Sequence, residues 1–199
     1  MRQMAFLGSK RTLARGFSLI EVVIALAVIL ILSAVALPAF LNAYRMYQLT
    51  DGATQFAGIL KFTRYEAIRL NKTTVNFVIQ QVASVPPVTN IWTDPDLDGV
   101  EDPNEKQLVF SGTVNLVPAV PGAASLPAAA GILTLTTVPL ANGVIAFDQR
   151  GAVKTGLVYV FYLSNQNDPS VGARAVILLP SGSIQIWKAD SLGNWFSLG

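Results

Sequence analysis

Acidic side chains are concentrated in one short segment of the chain. Six of the 12 Asp and Glu residues lie between positions 94 and 105, in DPDLDGVEDPNE. This segment fits the spacing D-x-D-x-D-G-x5-E, and the six to eight oxygen ligands of Ca²⁺ can be drawn from such a loop. The sequence therefore predicts a calcium site. The candidate ligands are Asp94, Asp96, Asp98, the carbonyl of Val100, Asp102 (directly or through water) and a bidentate Glu105.

The residues around this segment predict a setting unlike that of an EF-hand. TNIW before it and KQLVF after it favour strand or loop, and Pro95 and Pro103 stiffen the segment. Gly99 stands where the chain must reverse with a positive φ. We therefore expect a calcium loop between strands. The alternative is a solvated acidic turn without a metal, because runs of charge commonly face water.

The composition excludes several kinds of catalytic site. The 199 residues include no histidine and no cysteine, which removes Ser-His-Asp and Cys-His nucleophiles, the usual zinc sites and disulfides. Ser181 and Ser183 have no His partner, and the clustered carboxylates suit a metal better than general acid/base catalysis. The chain is therefore predicted not to be an enzyme, with a membrane-anchored enzyme or receptor as the disfavoured alternative.

The N-terminal region has an uneven distribution of charge. Residues 1–16 hold four basic side chains and no acid, so the other 183 residues carry 10 basic and 12 acidic side chains, a net charge of −2. Residues 22–41 are uncharged, and 20 such residues suffice to cross a hydrocarbon core of about 30 Å. The segment 17–41 is therefore predicted to be a transmembrane helix with its basic flank in the cytoplasm. A cleaved secretory signal is the alternative, although its apolar run is normally shorter.

Glu21 is the only ionisable side chain in residues 17–41. A carboxylate at the edge of the hydrocarbon normally has a partner, and one candidate is a new α-amino group produced by cleavage before Phe17. The alternative is a side chain that only reaches the headgroups.

Residues 15–21, RGFSLIE, with the apolar run behind them, resemble the class III signal of type IV pilins and type II secretion pseudopilins. The resemblance implies cleavage by a prepilin peptidase between Gly16 and Phe17, and N-methylation of Phe17. It also implies that Glu21 pairs with the N-terminus of a neighbouring subunit, and that Pro38 kinks or melts the helix. An inert single-pass anchor is the alternative.

The rest of the chain predicts an α+β fold. An apolar stripe continues the helix to about residue 70, with local weakness expected near Pro38 and Asp51-Gly52. Residues 73–199 are rich in β-forming segments separated by turns, which are predicted at Asn142-Gly143, Arg150-Gly151 and Ser181-Gly182. The predicted β segments are TTVNFVIQQV, KQLVFSGTVNLV, GILTLTTV, GVIAFDQ, GLVYVFYL, ARAVILL and SIQIWKA. The expected architecture, a pilin fold, is a long N-terminal helix packed by its second half on an antiparallel sheet or small sandwich. Residues 118–131, rich in Pro, Ala and Gly, are expected to form a mobile loop with little to bury. The stripe consists of Leu49, Ala53, Phe56, Leu60 and Ala67.

The segment FAGILKFTRYEAIRLNKTTVNFVI resembles the GspH/FimT group of minor pilins and pseudopilins, notably at Arg64, Glu66, Ala67 and Ile68. We therefore predict a leader at 1–16, a transmembrane and fibre-core helix at 17–41 and a periplasmic domain at 42–199. The predicted function is that of a minor subunit of a type IV pilus or type II secretion pseudopilus. It would lie in the inner membrane with its N-terminus cytoplasmic, and would later join a fibre with other subunits.

DNA binding is the second functional hypothesis, since FimT-like minor pilins are associated with DNA uptake. The turn where that resemblance would place arginines is Ser181-Gly182-Ser183 here, without a basic residue. The candidate DNA-contacting residues are Arg150, Lys154, Arg174 and Lys188.

Overall fold

The computed structural model describes residues 17–190 and 192–198. The predicted leader and Gly16 lie outside these residues. The chain forms two compact units divided after Leu41. Helix α1, Leu19–Arg69, contributes its first part to one unit and the remainder to the other.

In the first unit, the apolar side chains of α1 are exposed. The helix contains an 18-residue window with a mean hydropathy of 2.9, none of which is buried. By length and composition it is therefore able to cross a membrane. The helix is unbroken at Pro38 and, in the second unit, at Asp51-Gly52, so the local weakness expected there does not interrupt it. A proline removes one main-chain hydrogen bond, and helical residues on both sides continue the pattern.

The second unit contains the rest of α1 and two β-sheets. The strands are β1 Val75–Val82, β2 Val88–Asp94, β3 Gln107–Phe110, β4 Val114–Val117, β5 Thr136–Thr137, β6 Gly143–Phe147, β7 Tyr159–Asn165, β8 Ala173–Leu178, β9 Ile184–Ala189 and β10 Trp195–Ser197. The first sheet has the strand order β3-β2-β1-β6, and every pair in it is antiparallel. The second has the order β10-β9-β8-β7-β4, also antiparallel, with β5 beside β7 in parallel.

The main core forms where α1 meets both sheets. Phe56 of α1 packs edge-on against Phe77 of β1, with ring centroids 5.6 Å apart. It also packs against Phe161 of β7, with centroids 4.8 Å apart. The five stripe residues predicted from the sequence are all buried in this unit. The predicted α+β architecture, with a long helix packed by its second half on antiparallel sheets, is confirmed.

Two predicted strands differ from the observed ones. KQLVFSGTVNLV was expected to form one β segment, but it forms β3 and β4, which belong to different sheets. The break falls at Ser111-Gly112, where the chain crosses from one sheet to the other. GILTLTTV forms only the two-residue β5, and β10 was not anticipated.

The prediction of a mobile loop at 118–131 is wrong. The segment forms a 3₁₀ turn, Ala123–Ser125, and a short helix α2, Leu126–Ala130. Leu126 is fully buried in a second apolar cluster with Tyr162 and Trp195. The indole Nε1 of Trp195 also donates to the carbonyl of Gly122 at 2.8 Å. Burial of Leu126 therefore holds residues 118–131 in place, although the Pro, Ala and Gly content of this segment does not predict burial.

Two predicted turns meet beneath α1. Gly151 and Gly182 both have positive φ values, of 74° and 78°. The carbonyl of Gly182 accepts a hydrogen bond from Nη1 of Arg64 at 3.3 Å. A Cβ placed on Gly182 would lie 2.0 Å from the carbonyl oxygen of Gly151. Glycine is therefore required at 182 by both conformation and space.

We predict that Gly182→Ala lowers the free energy of unfolding by about 3 kcal/mol, because the new methyl group adds overpacking to the cost of a positive φ. Gly156→Ala is the matched control. Gly156 also has a positive φ, 67°, and among the described residues no atom lies within 4 Å of its added Cβ, apart from its chain neighbours. The control should lose about 1 kcal/mol. Thermal unfolding followed by near-UV circular dichroism measures both, and equal losses would contradict the proposed steric contact.

Candidate functional sites

The first candidate site is the beginning of α1. Ser18 immediately precedes the helix, and its hydroxyl accepts a hydrogen bond from the backbone N–H of Glu21 at 3.2 Å. Glu21 is the third residue of the helix, so Ser18 and Glu21 have the spacing of a capping box. The sequence interpretation missed Ser18 as the cap, although the S-x-x-E pattern would have identified it. Phe17 and Glu21 are both exposed.

Glu21 also lies where its negative charge is favourable for the helix. The first turn of a helix presents the positive end of the helix dipole, which stabilises a carboxylate by about 0.3–1 kcal/mol. The two ion pairs formed within the described residues are Arg45–Asp168 and Arg69–Glu66, and neither involves Glu21. Its carboxylate is therefore not neutralised by a side chain of the described part of the chain.

The second candidate site is the acidic loop, residues 94–105, between β2 and β3. Asp94 ends β2 and is 1% exposed. Its carboxylate accepts hydrogen bonds from the backbone N–H groups of Leu97, at 2.6 Å, and Gly99, at 3.2 Å. Leu97 and Gly99 have φ values of 68° and 73°. The buried carboxylate therefore holds a sharply turned backbone, and the positive φ predicted at Gly99 is confirmed.

Three of the six predicted metal ligands come together in this loop. One carboxylate oxygen from each of Asp94, Asp96 and Asp98 lies within 4.8 Å of the other two. Asp96 and Asp98 are exposed. Burial raises the pKa of Asp94, and the neighbouring charge of Asp96 raises it further. The carboxylates of Asp94, Asp96 and Asp98 are thus held close together although their negative charges repel one another.

The other predicted ligands lie on the same loop but are not in this group. Asp102 and Glu105 line a cleft with Asp96, and the N–H of Asp102 donates to Oε2 of Glu105 at 3.1 Å. Burial raises the pKa of Glu105, and the nearby aspartates add to the increase. Val100 donates its N–H to Asp98 at 2.8 Å. The loop therefore presents an oxygen-rich cleft of the kind that hard cations prefer.

The four basic residues proposed for DNA binding do not form one surface. Arg174 is 3% exposed and donates to the hydroxyl of Thr50 on α1. Lys188 is its cross-strand partner. Lys154 instead donates to Thr74, beyond the end of α1, at 2.8 Å. Thr50 and the last helical residue, Arg69, are 19 residues apart, which is about 28 Å along a helix. The predicted basic set is therefore divided between separate parts of the second unit, with Arg150 in the turn before Gly151.

The chain contains a recognised sequence motif at its N-terminus. The prokaryotic N-terminal methylation motif matches residues 11–37. In structure, the chain is similar to the type IV minor pilin FimU of Pseudomonas aeruginosa strain PAO1, with 12% identity over 70% of this chain and 88% of that one, and a TM-score of 0.47. Similarity at this level does not by itself establish a shared fold. Comparison of the sequence with curated proteins finds no match.

The matched motif includes the beginning of the long helix. Residues 11–37 take in the first part of α1, and that helix continues into a unit of antiparallel sheets. The match to the N-terminal methylation motif agrees with the prepilin-type signal predicted at residues 15–21. The more specific resemblance to the GspH/FimT group stays a prediction.

We predict that Asp94→Ala destabilises the loop by about 2–3 kcal/mol, because it leaves two backbone N–H groups without their buried acceptor. Asp98→Ala is the matched control, since Asp98 is exposed and accepts one hydrogen bond within its own turn. The control should change the unfolding free energy by no more than about 0.5 kcal/mol. Both variants are compared by thermal unfolding with chelator present, so that no metal contributes. If Asp98→Ala lowered the unfolding free energy as much as Asp94→Ala, the proposed importance of the buried carboxylate of Asp94 would be contradicted.

Proposed function

We propose that the protein is a structural subunit of a helical fibre, a type IV pilus or type II secretion pseudopilus, in which it occupies a minor position. The observation that supports this most directly is the methylation motif at 11–37, which includes much of the exposed apolar part of α1. The role is structural and not catalytic. Its processing would be cleavage by a prepilin peptidase between Gly16 and Phe17, followed by N-methylation of Phe17.

The exposed apolar segment serves two environments in this proposal. In the inner membrane, side chains of residues 19–41 face lipid, with the basic N-terminus in the cytoplasm and the second unit in the periplasm. In the fibre, the same side chains pack against the helices of neighbouring subunits. Transfer of the helix from the membrane into the fibre changes its hydrophobic free energy little, because lipid and packed helices are both apolar. The register in which a subunit joins the fibre must therefore be selected by a polar interaction.

Glu21 supplies that polar interaction. A carboxylate in an apolar environment costs about 3 kcal/mol when it is unpaired, and Glu21 forms no ion pair within the described residues. The α-amino group of Phe17 on a neighbouring subunit would offset this cost after the leader is removed. A subunit added out of register, or one that keeps its leader, would leave the carboxylate unpaired. Pro38, further along the helix, would allow adjustment where a main-chain N–H is missing.

We predict that Glu21→Gln reduces incorporation into fibres at least about tenfold while membrane insertion is retained, because the charge is lost and the side chain can still serve a capping box. Ser18→Ala is the matched control, since it removes the cap hydroxyl and keeps the charge. The measurement compares the amount of each variant in sheared fibres with the amount in membranes. Normal incorporation of Glu21→Gln together with loss for Ser18→Ala would show that capping, not charge pairing, is the role of this segment.

A second proposed property is calcium binding by the acidic loop, which is supported by the grouping of the carboxylates of Asp94, Asp96 and Asp98. These residues would provide carboxylate oxygens, and Asp102, Glu105 and the carbonyl of Val100 would complete the coordination after a local adjustment of the loop. The donor set is entirely oxygen, which suits Ca²⁺. Bound calcium would neutralise the charges that raise the pKa of Glu105, and so would stabilise the loop between β2 and β3.

We predict that millimolar Ca²⁺ protects the bonds within residues 94–105 from limited proteolysis and raises the midpoint of thermal unfolding, whereas a chelator reverses both effects. Mg²⁺ at equal concentration controls for ionic strength. Asp96→Asn should remove the protection, while Glu101→Gln, which has no place in the ligand spacing, should retain it. An identical digestion pattern with calcium and with chelator would contradict the proposed site.

A further inference from the structure

The second unit contains a buried cation without an acidic partner. Arg174 of β8 is 3% exposed. Its Nε and Nη2 donate to the hydroxyl of Thr50 at 3.2 and 3.0 Å, and its Nη1 donates to the carbonyl of Ala173 at 3.0 Å. A guanidinium has five N–H groups, so two have no acceptor among the described residues. Burial lowers the pKa of Arg174, because the charged guanidinium is removed from water and no nearby anion in the described part of the chain offsets the loss of hydration.

A second cation lies directly opposite the first. Arg174 and Lys188 are cross-strand partners in the antiparallel pair β8 and β9. Like charges at such positions repel each other and destabilise the sheet. The Nζ of Lys188 lies 5.9 Å from the centre of the Phe196 ring, which is a weak contact at the limit of a cation–π interaction. An anion between the two side chains would turn this repulsion into two attractions.

Both cations line one cleft, with a volume of about 540 Å³. This volume is within the range of small-molecule pockets. Met46, Val171 and Phe196 supply apolar wall, so the cleft has a positively charged part and an apolar part. An occupant of matching character has an anionic group attached to an apolar body.

The nearby acidic side chains are already engaged in their own segments. Asp190 lines the cleft, but its carboxylate accepts hydrogen bonds from the N–H of Leu192 and from both the backbone and side chain of Asn194. Asp168 pairs with Arg45 and accepts from Ser170. These contacts lower the pKa of both aspartates. Among the described residues that line the cleft, no carboxylate is therefore left free to neutralise Arg174 and Lys188.

We propose that this cleft is a binding site for a carboxylate group with an apolar group beside it, recognised by Arg174 and Lys188. A carboxylate fits because its two oxygens match the remaining N–H groups of a guanidinium. A nucleic acid fits poorly, because its phosphates are read by rows of cations, and the described residues that line the cleft include two, Arg174 and Lys188. The proposal does not depend on the fibre function.

The carboxylate has two sources, a free organic acid or an acidic side chain of another polypeptide. The acidic loop of a second copy is one such polypeptide. The loop of the same copy lies elsewhere, because its cleft includes Glu66 of α1, whereas Arg174 contacts Thr50. These two helix positions are 16 residues apart, or about 24 Å along the axis. Only a neighbouring molecule would therefore bring this loop to the cleft.

The test uses the full chain in non-ionic detergent at constant ionic strength. Isothermal titration calorimetry is carried out with sodium benzoate, with the peptide DPDLDGVEDPNE, with inorganic phosphate and with a short DNA duplex. The proposal expects binding of benzoate, the peptide or both, with an accompanying rise in the thermal unfolding midpoint. Benzoate alone identifies free acids as the source, and binding of the peptide identifies an acidic polypeptide. Tighter binding of phosphate or DNA than of either carboxylate would overturn the proposal, as would no binding of either carboxylate.

Variants of Arg174 and Lys188 test whether the carboxylate binds in this cleft. Arg174→Gln should weaken carboxylate binding at least about tenfold, the loss expected for one charged hydrogen-bonding partner. Lys188→Gln, at an exposed position, should weaken it several-fold and keeps the test decisive if Arg174→Gln does not fold. Lys154→Gln is the control, a lysine outside the cleft that should bind as the original chain does. Unchanged affinity in Lys188→Gln and in a folded Arg174→Gln would place any binding elsewhere and refute the site.

Discussion

The packing of Phe56 against Phe77 and Phe161 is the interaction on which the second unit depends. One aromatic side chain of α1 contacts one strand of each sheet, so the helix and the two sheets share a single core. Aromatic contacts of this kind bury large areas and prefer a tilted or edge-on geometry. They set the position of α1 relative to both sheets, and the candidate sites in this unit are arranged along that helix.

The distances between the candidate sites of the second unit follow from their positions along α1. Thr50 meets the buried Arg174, while Arg64, further along, meets the turn at Gly182, and Glu66 lines the cleft of the acidic loop. Each helical residue adds about 1.5 Å. The basic cleft and the acidic loop are therefore held apart by the helix, even though their strands are linked through a common core. The two sites therefore lie in separate parts of the second unit.

The candidate sites hold charges that have no opposite charge within the described residues. Glu21, Arg174 and the aspartates of the acidic loop form no ion pair there, whereas Asp168 pairs with Arg45. Arg174 is buried, and a buried charge without a partner is costly. In the acidic loop, three carboxylates of like charge lie close together. The cleft and the loop therefore each have a physical reason to take a partner of opposite charge from outside.

The sequence by itself determined the features that depend on local pattern. The apolar run at 17–41, the buried stripe from Leu49 to Ala67 and the spacing of Asp94, Asp96 and Asp98 can all be read from neighbouring residues, because helix period and turn geometry are local. Tertiary structure alone decided that KQLVFSGTVNLV divides between two sheets and that Leu126 anchors a low-complexity segment. It also decided that Arg174 is buried opposite Lys188 and separated from Lys154. Burial and cross-strand pairing depend on residues distant in the chain, so the environment of a charge is not visible in the sequence around it.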